Sequence, residues 1–285
     1  MGRWSGGATY ENAAVERPVT SLAWSDSGAG PAIVLLHAFP CDHRMWEHQA
    51  AGLREAGWRV LVPDLPGFGS SALPDAVPSL GVVVDLLASD LMELGVDRMI
   101  LVGLSVGGYL TMEWLRRYPE MLAGIALCDT KATADAPVAL QGRLEMAAIV
   151  ETEPDRTSAL LRERMLPVIV GGTTHVERPD VVAMVASWID AADPGAISWY
   201  QRAMAERVDS LVVLTESHVP ALVLWGEEDS MSDRAEQDLM LRALRDARFA
   251  TIAQAGHLSA IENPESVTAE LVAFADAVRR STLDG

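Results

Sequence analysis

Apolar residues along the first half of the chain fall into two alternating patterns. Residues 32–37 (AIVLLH), 59–63 (RVLVP), 99–103 and 123–128 are short, β-rich and almost continuously apolar, as strands buried on both faces are. Between them, apolar positions recur at helical spacing in residues 45–56, 80–94 and 106–118. Along the first of these, Met45, His48 or Gln49, and Leu53 share one side. Glycine and proline mark the boundaries. Ser27-Gly28-Ala29-Gly30-Pro31 leads into the first run, and Asp64-Leu65-Pro66-Gly67-Phe68-Gly69 follows the second. Gly95 stands at a helix C-cap and Pro119 closes the next helix. Strand–helix–strand alternation at this spacing predicts right-handed βαβ crossovers and a mostly parallel sheet.

The pattern changes at Lys131. To about Val208 only helical periodicity is present, broken at Pro137, Pro154, residues 167–172, Pro179 and Pro194-Gly195, which predicts four or five short helices. The βα rhythm then returns with a strand at 221–225, a helix at 233–245, a strand at 249–252 and a helix at 264–279 opened by Pro264. The expected architecture is α/β: a twisted, mostly parallel sheet with helices on both faces. Residues 1–130 and 209–285 form the core, and residues 131–208 a helical cap inserted after the sixth strand. An insertion of this kind is expected over the carboxyl edge of the sheet, where ligands bind in such folds.

Composition narrows the partners. The chain of 285 residues is 49% hydrophobic and 22% charged, a globular balance. It carries 22 Lys+Arg against 40 Asp+Glu, a net charge of −18. Lys131 is the single lysine, and the arginines are scattered, so neither nucleic acid nor an anionic membrane surface is an expected partner. Cys41 and Cys128 have no metal-ligand spacing and are expected to be reduced, partly buried thiols. Residues 1–10 have no apolar core of a secretion signal, and Gly6 occupies the place where an acylation signal needs Ser or Thr. With no run of about 18 apolar residues, a soluble, cytoplasmic protein is expected, and a homodimer is allowed.

The sharpest chemical signal is Gly103-Leu104-Ser105-Val106-Gly107-Gly108, a G-x-S-x-G sequence at the junction of a predicted strand and helix. A residue on so tight a turn has a strained backbone, and side chains at the flanking positions would collide; glycine removes the collision. Ser105 is thereby presented at the sheet edge as a candidate nucleophile, which requires a base and an orienting acid. Of six histidines, His257 follows the last strand and reaches the same edge. His43, His48, His175 and His218 have no comparable placement and read as surface residues, and His37 reads as a brace for its loop. Asp229, in Gly226-Glu227-Glu228-Asp229 after the preceding strand, is the chosen acid; Glu228 stays open as an alternative, and Glu227 reads as a solvated charge. The order Ser105, Asp229, His257 is the one this architecture requires. The backbone N–H groups of Phe39, in His37-Ala38-Phe39-Pro40, and of Val106 are the expected oxyanion donors.

Together with Pro63-Asp64-Leu65-Pro66-Gly67-Phe68-Gly69-Ser70 and Glu262-Asn263-Pro264-Glu265, these motifs resemble the α/β-hydrolase superfamily over residues 20–280. Within it the chain is most similar to capped carboxylesterases and enol-lactonases of the 3-oxoadipate enol-lactonase type. The His37–Pro40 segment also resembles the H-G-x-P loop of epoxide hydrolases, with Ala38 in place of Gly. Those enzymes use an Asp nucleophile, and a Ser ether formed by epoxide opening could not be hydrolysed. The resemblance implies no metal and no organic cofactor.

Met146, Ile149, Met165, Trp188, Trp199, Tyr200 and Met204 are candidate pocket residues on the cap, or equally the cap's own small core. The negative charge favours a neutral, moderately apolar substrate. The leading expectation is a serine hydrolase acting on a small carboxylic ester or lactone through an acyl-enzyme. The same triad also suits C–C bond hydrolysis, cofactor-free perhydrolysis, or a lyase or cyclisation step. A ligand receptor on a hydrolase scaffold is the reading from a different class.

Overall fold

The computed structural model describes residues 22–283; residues 1–10, with the signal-sequence reading made for them above, lie outside this range. Seven strands form one sheet in the order β1-β3-β2-β4-β5-β6-β7. They are β1 (Trp24–Ser27), β2 (Ala32–Leu36), β3 (Arg59–Pro63), β4 (Met99–Leu104), β5 (Leu122–Cys128), β6 (Ala221–Gly226) and β7 (Ala247–Ile252). Among the described residues β1 alone runs antiparallel, beside β3, and every other pairing is parallel. β1 was not anticipated, because its short WSDS sequence is half-exposed and polar, and its one aromatic residue carries no alternation.

The helices before β5 are α1 (Glu47–Glu55), α2 (Leu80–Glu93) and α3 (Val106–Arg117). Between β5 and β6 lie α4 (Pro137–Thr152), α5 (Thr157–Arg164), α6 (Leu166–Ile169), α7 (Gly172–Glu177), α8 (Pro179–Ala191), α9 (Pro194–Ala205) and α10 (Leu211–Glu216). The chain closes with α11 (Arg234–Ala243), α12 (Ser259–Glu262) and α13 (Pro264–Leu283). Among the described residues the helical insertion thus follows the fifth strand and has seven helices: six lie in residues 131–208, where four or five were expected, and α10 lies beyond that limit. The helices not anticipated are α6 and α7 within that range and α10 after it, each too short to display a helical period.

β2 and β4 are buried at every position, which requires cover on both faces of the sheet. Two glycines identify the covering helices. A side chain on Gly103 would strike Gly107 and Thr111 of α3, whereas one on Gly124 would meet Phe274 and Val278 of α13. Gly103 is paired with Leu127, which lies three residues from Gly124 and so projects from the opposite face. α3 and α13 therefore sandwich the sheet.

This topology positions the site. The chain leaves β2 toward β3 on one side and later runs from β4 toward β7 on the other, so the switch point falls between β2 and β4. Leu36 at the end of β2 is in register with Gly103 near the end of β4, and Leu104 is in register with Cys128. The segments after β2, β4, β5, β6 and β7 consequently emerge along one edge. The helical insertion is anchored where it leaves β5: Asp135 holds Lys131 at 3.3 Å, Arg143 at 2.5 Å and Arg207 at 3.1 Å. Arg207 also lies over the Tyr109 ring of α3, 4.0 Å from its centroid. No helix among the described residues is long and apolar enough to cross a membrane. Cys41 and Cys128 are free and buried, and burial pushes both thiols up, Cys128 well above the ordinary value.

Candidate active site

Ser105 occupies the turn between β4 and α3 with φ 56° and ψ −113°, a region that L-residues rarely adopt. The surroundings hold it there. Its N–H donates to the Cys128 carbonyl at 3.0 Å, and its own carbonyl accepts from Thr130 Oγ1 at 2.8 Å. The flanking glycines are required by space. A Cβ on Gly103 would lie 2.1 Å from the Gly107 carbonyl oxygen, and one on Gly107 would lie 2.3 Å from that of Leu36.

His257 stands between β7 and α12, and its Nε2 is 2.8 Å from Ser105 Oγ. Its Nδ1 is 3.0 Å from each carboxylate oxygen of Asp229, in the loop after β6. A ring nitrogen facing an ionised carboxylate carries the proton, so Nδ1–H donates to Asp229 and Nε2 is left to accept from the Ser105 hydroxyl. Asp229 also accepts from the N–H groups of Met231 at 2.8 Å and Ser232 at 3.1 Å, and from Ser232 Oγ at 2.5 Å. Burial opposes ionisation of Asp229, but the facing imidazole and these donors outweigh it and hold the carboxyl below the usual range. Burial would likewise push the His257 imidazole down; the attraction of Asp229 outweighs that and holds it above its ordinary value.

Glu228, the alternative acid, is engaged elsewhere: it accepts from the Thr173 N–H at 2.8 Å and from the Thr173 hydroxyl in α7. Glu227 is exposed. His48, His175 and His218 are exposed. His43 departs from a plain surface reading, since it is half-buried with Nδ1 2.7 Å from Asp64 Oδ1. With Asp42 these two form the one group of metal-ligand type among the described residues, but Asp42 is taken up by Arg44 at 2.6 Å.

His37 is fully buried and bridges two loops. Its Nε2 accepts from the Leu65 N–H at 2.9 Å, which puts the ring proton on Nδ1, facing the Ala38 carbonyl at 2.9 Å. Burial lowers its pKa and keeps it neutral. The chain so braced carries Phe39 just beyond β2. Val106 opens α3, where the first N–H groups have no acceptor within the helix.

The candidate pocket residues divide. Tyr200 of α9 is packed into an aromatic group with Phe68, at 5.0 Å between centroids, and Phe39, at 6.4 Å, and so adjoins the loop after β2. Trp199 points toward the loop after β3, where its Nε1 donates to the Ala76 carbonyl at 3.0 Å. Met204 is buried beside Arg143, whose Nη1 lies 3.4 Å from its Sδ. Trp188 is buried in α8, while Met146, Ile149 and Met165 are half-buried. Of the seven, Tyr200 alone has a recorded ring contact with Phe39.

Three carboxylates organise this edge: Asp64 and Glu262, which the sequence showed only as parts of motifs with no role, and Asp129, which it did not single out. Glu262 accepts from Gly171 N–H, Thr174 Oγ1 and Leu258 N–H, joining the start of α7 to the loop of His257. Asp129 touches the loops of both Asp229 and His257. Asp64 accepts from the N–H groups of His43 and Ser70, each at 2.9 Å. The available signal was position: Asp129 directly follows a strand at the carboxyl edge, as Ser105 and the Gly226 loop do.

Residues 33–271 match the family model described as "Alpha/beta hydrolase family". The chain belongs to the alpha/beta hydrolase family. Among solved structures, it is similar to a thermophilic esterase from Thermogutta terrifontis, with 36% identity, a TM-score of 0.86, and coverage of 90% of this chain and 93% of that one. The enol-lactonase from Burkholderia xenovorans LB400 gives 26% identity and a TM-score of 0.81 over 90% of this chain and 96% of that one. A putative non-heme chloroperoxidase of Synechocystis sp. is 31% identical over 222 residues, 73% of this chain and 77% of that protein. Bifunctional epoxide hydrolase 2 of Sus scrofa is 33% identical over 116 residues, but this match spans 40% of the chain and only 21% of that protein.

Proposed function

We propose that this hydrolase is a serine hydrolase that cleaves a small, neutral, moderately apolar carboxylic ester or lactone through an acyl-enzyme. The observation that carries the reading is the continuous hydrogen-bonded series from Ser105 Oγ to His257 Nε2, at 2.8 Å, and from His257 Nδ1 to Asp229, at 3.0 Å. A serine hydroxyl is a weak nucleophile until a base takes its proton in the same step. Here Nε2 receives that proton as Oγ attacks the acyl carbon, and the Asp229 carboxylate stabilises the imidazolium that forms. Charge builds on the former carbonyl oxygen, for which the Phe39 and Val106 N–H groups are the donors. His257 returns the proton to the departing alkoxide, and water, activated by the same nitrogen, releases the acid. In a lactone both products remain one molecule, a hydroxy acid.

The substrate class rests on the apolar packing beside the loop of Phe39 and on the charge. Phe39, Phe68 and Tyr200 pack into one buried aromatic group against the loop after β2, and a net charge of −18 disfavours anionic substrates. Similarity to an esterase and an enol-lactonase supports both ester types. Turnover of p-nitrophenyl acetate and butyrate and of simple lactones, lost in Ser105→Ala, tests it; a folded wild-type protein inert toward all of them contradicts it. Likeness to the chloroperoxidase favours perhydrolysis as a second activity of the same acyl-enzyme, with hydrogen peroxide replacing water. Peroxide-dependent halogenation in the presence of a carboxylic acid distinguishes it.

A further inference from the structure

Asp129 is fully buried at the end of β5, between Cys128 and Thr130. Its backbone has φ 45°, in the left-handed region where a non-glycine residue is strained. The strain places its carboxyl group between two loops. Oδ1 accepts from the N–H of Gly226 at 2.7 Å, and Oδ2 lies 2.5 Å from Ser259 Oγ and 3.3 Å from the Ser259 nitrogen. Gly226 begins the turn that ends at Asp229, closed by an Asp229 N–H bond to the Gly226 carbonyl at 3.0 Å. Ser259 stands two residues after His257. One side chain thus grips both loops close to the acid and the base.

We infer that Asp129 is a positioning residue: its carboxyl group ties the loop of Asp229 to the loop of His257, and so sets the geometry of the acid–base pair. The role rests on the serine hydrolase reading above. It also constrains the charge of the site. Asp129 faces Asp229 after β6 and His257 after β7; Glu262 acts on His257 from α12, and the buried Cys128 thiol is its neighbour on β5. Burial first, and the negative Asp229 second, push the Asp129 carboxyl well above the usual range, which favours its neutral form. Oδ1 accepts from the Gly226 N–H, and Oδ2 meets both the hydroxyl and the N–H of Ser259; in the neutral form the bond between Oδ2 and Ser259 Oγ runs from acid to hydroxyl, and both grips are kept. Two adjacent ionised carboxylates would repel; one neutral and one charged give a site with a single anion, aimed at Nδ1 of His257.

The test compares Asp129→Asn and Asp129→Ala in the full chain. Asparagine reproduces the neutral acid, with its oxygen accepting from Gly226 and its amide donating to Ser259. Its kcat should stay within about tenfold of wild type, and the acid limb of kcat/KM should not move. Alanine releases both loops; kcat should fall about 10²-fold, the scale of a small misplacement of reacting groups, with KM little changed. The downfield proton resonance of His257 Nδ1–H should persist in the asparagine variant and weaken in the alanine variant. If the alanine protein does not fold, Ser259→Ala removes the second grip and should weaken the same resonance. A downward shift of the acid limb in Asp129→Asn, equal losses in the two variants, or an unaltered resonance in Asp129→Ala overturns the proposal. Absence of turnover in the wild type instead removes the hydrolase reading, and the resonance still tests Asp129.

Discussion

Glu262 accepts a hydrogen bond from the backbone N–H of Gly171 at 2.7 Å, across 91 residues of sequence. Gly171 precedes α7 in the helical insertion, while Glu262 ends α12, the short helix after His257. The same carboxylate accepts from Thr174 Oγ1 at 2.6 Å and from the Leu258 N–H at 3.0 Å, and Arg178 donates to its backbone carbonyl. The seat of the insertion and the loop of the histidine are therefore one hydrogen-bonded unit.

Glu262→Ala leaves these buried donors without an acceptor. Each unsatisfied group costs about 1–3 kcal/mol, so urea denaturation should show a loss on the order of 3 kcal/mol or more. Glu262→Gln keeps one acceptor oxygen and should lose less. Equal stability of wild type and the alanine variant would mean that the contacts carry no energy.

The elbow has no room for a methyl group. Gly107→Ala would place a Cβ 2.3 Å from the Leu36 carbonyl oxygen, and that oxygen belongs to a central strand. Overpacking of this kind costs about 1–3 kcal/mol, and any relief moves Ser105 relative to His257. The variant should be less stable and lose most of its activity; normal thermal unfolding with normal turnover would contradict the packing.

Activity should depend on His257 being neutral. Because Asp229 holds the imidazole above its ordinary value of 6.5, the acid limb of kcat/KM should lie above pH 6.5, with activity falling as pH drops through it. Asp229→Asn removes the charge that raises the pKa, so the limb moves to lower pH and kcat drops by about 10⁴-fold. For stability the sign is opposite to that for activity: the raised His257 stabilises the fold at low pH, and that contribution is lost as pH rises through its folded value. A pH–rate profile of the two proteins measures the position of the limb, and urea denaturation at several pH values measures the stability claim.

Tyr200 buries its hydroxyl without a partner among the described residues, beside Phe39 and Phe68. Removing an unsatisfied buried hydroxyl should be neutral or stabilise by about 1 kcal/mol. Tyr200→Phe is therefore expected to raise the denaturation midpoint slightly. A marked destabilisation would show that the hydroxyl has a partner in solution.

Much of this was legible from sequence for specific reasons. β2, β4 and β5 are central and covered on both faces, so their burial is written as continuous apolar runs. The elbow is written in glycines because backbone approach forbids any other residue. Asp229 and His257 were found because each follows a strand whose end the topology sends to one edge. β1 was missed because its four residues are half-exposed and mostly polar, and α6, α7 and α10 because a helix of four to six residues shows no period. The bridging carboxylates were hidden for a deeper reason. Asp129 meets Ser259 across 130 residues and Glu262 meets Thr174 across 88, and no local pattern encodes such contacts.

Ser105, hydrogen-bonded to His257 Nε2 at 2.8 Å, is expected to react as an activated nucleophile. Intact-mass analysis after treatment with a fluorophosphonate, followed by peptide mapping, tests it most directly. One adduct per chain, located on Ser105, absent from Ser105→Ala and much slower to form in His257→Ala, is the expected result. A folded wild-type protein that takes up no adduct, or takes it up equally well without Ser105, would contradict the account.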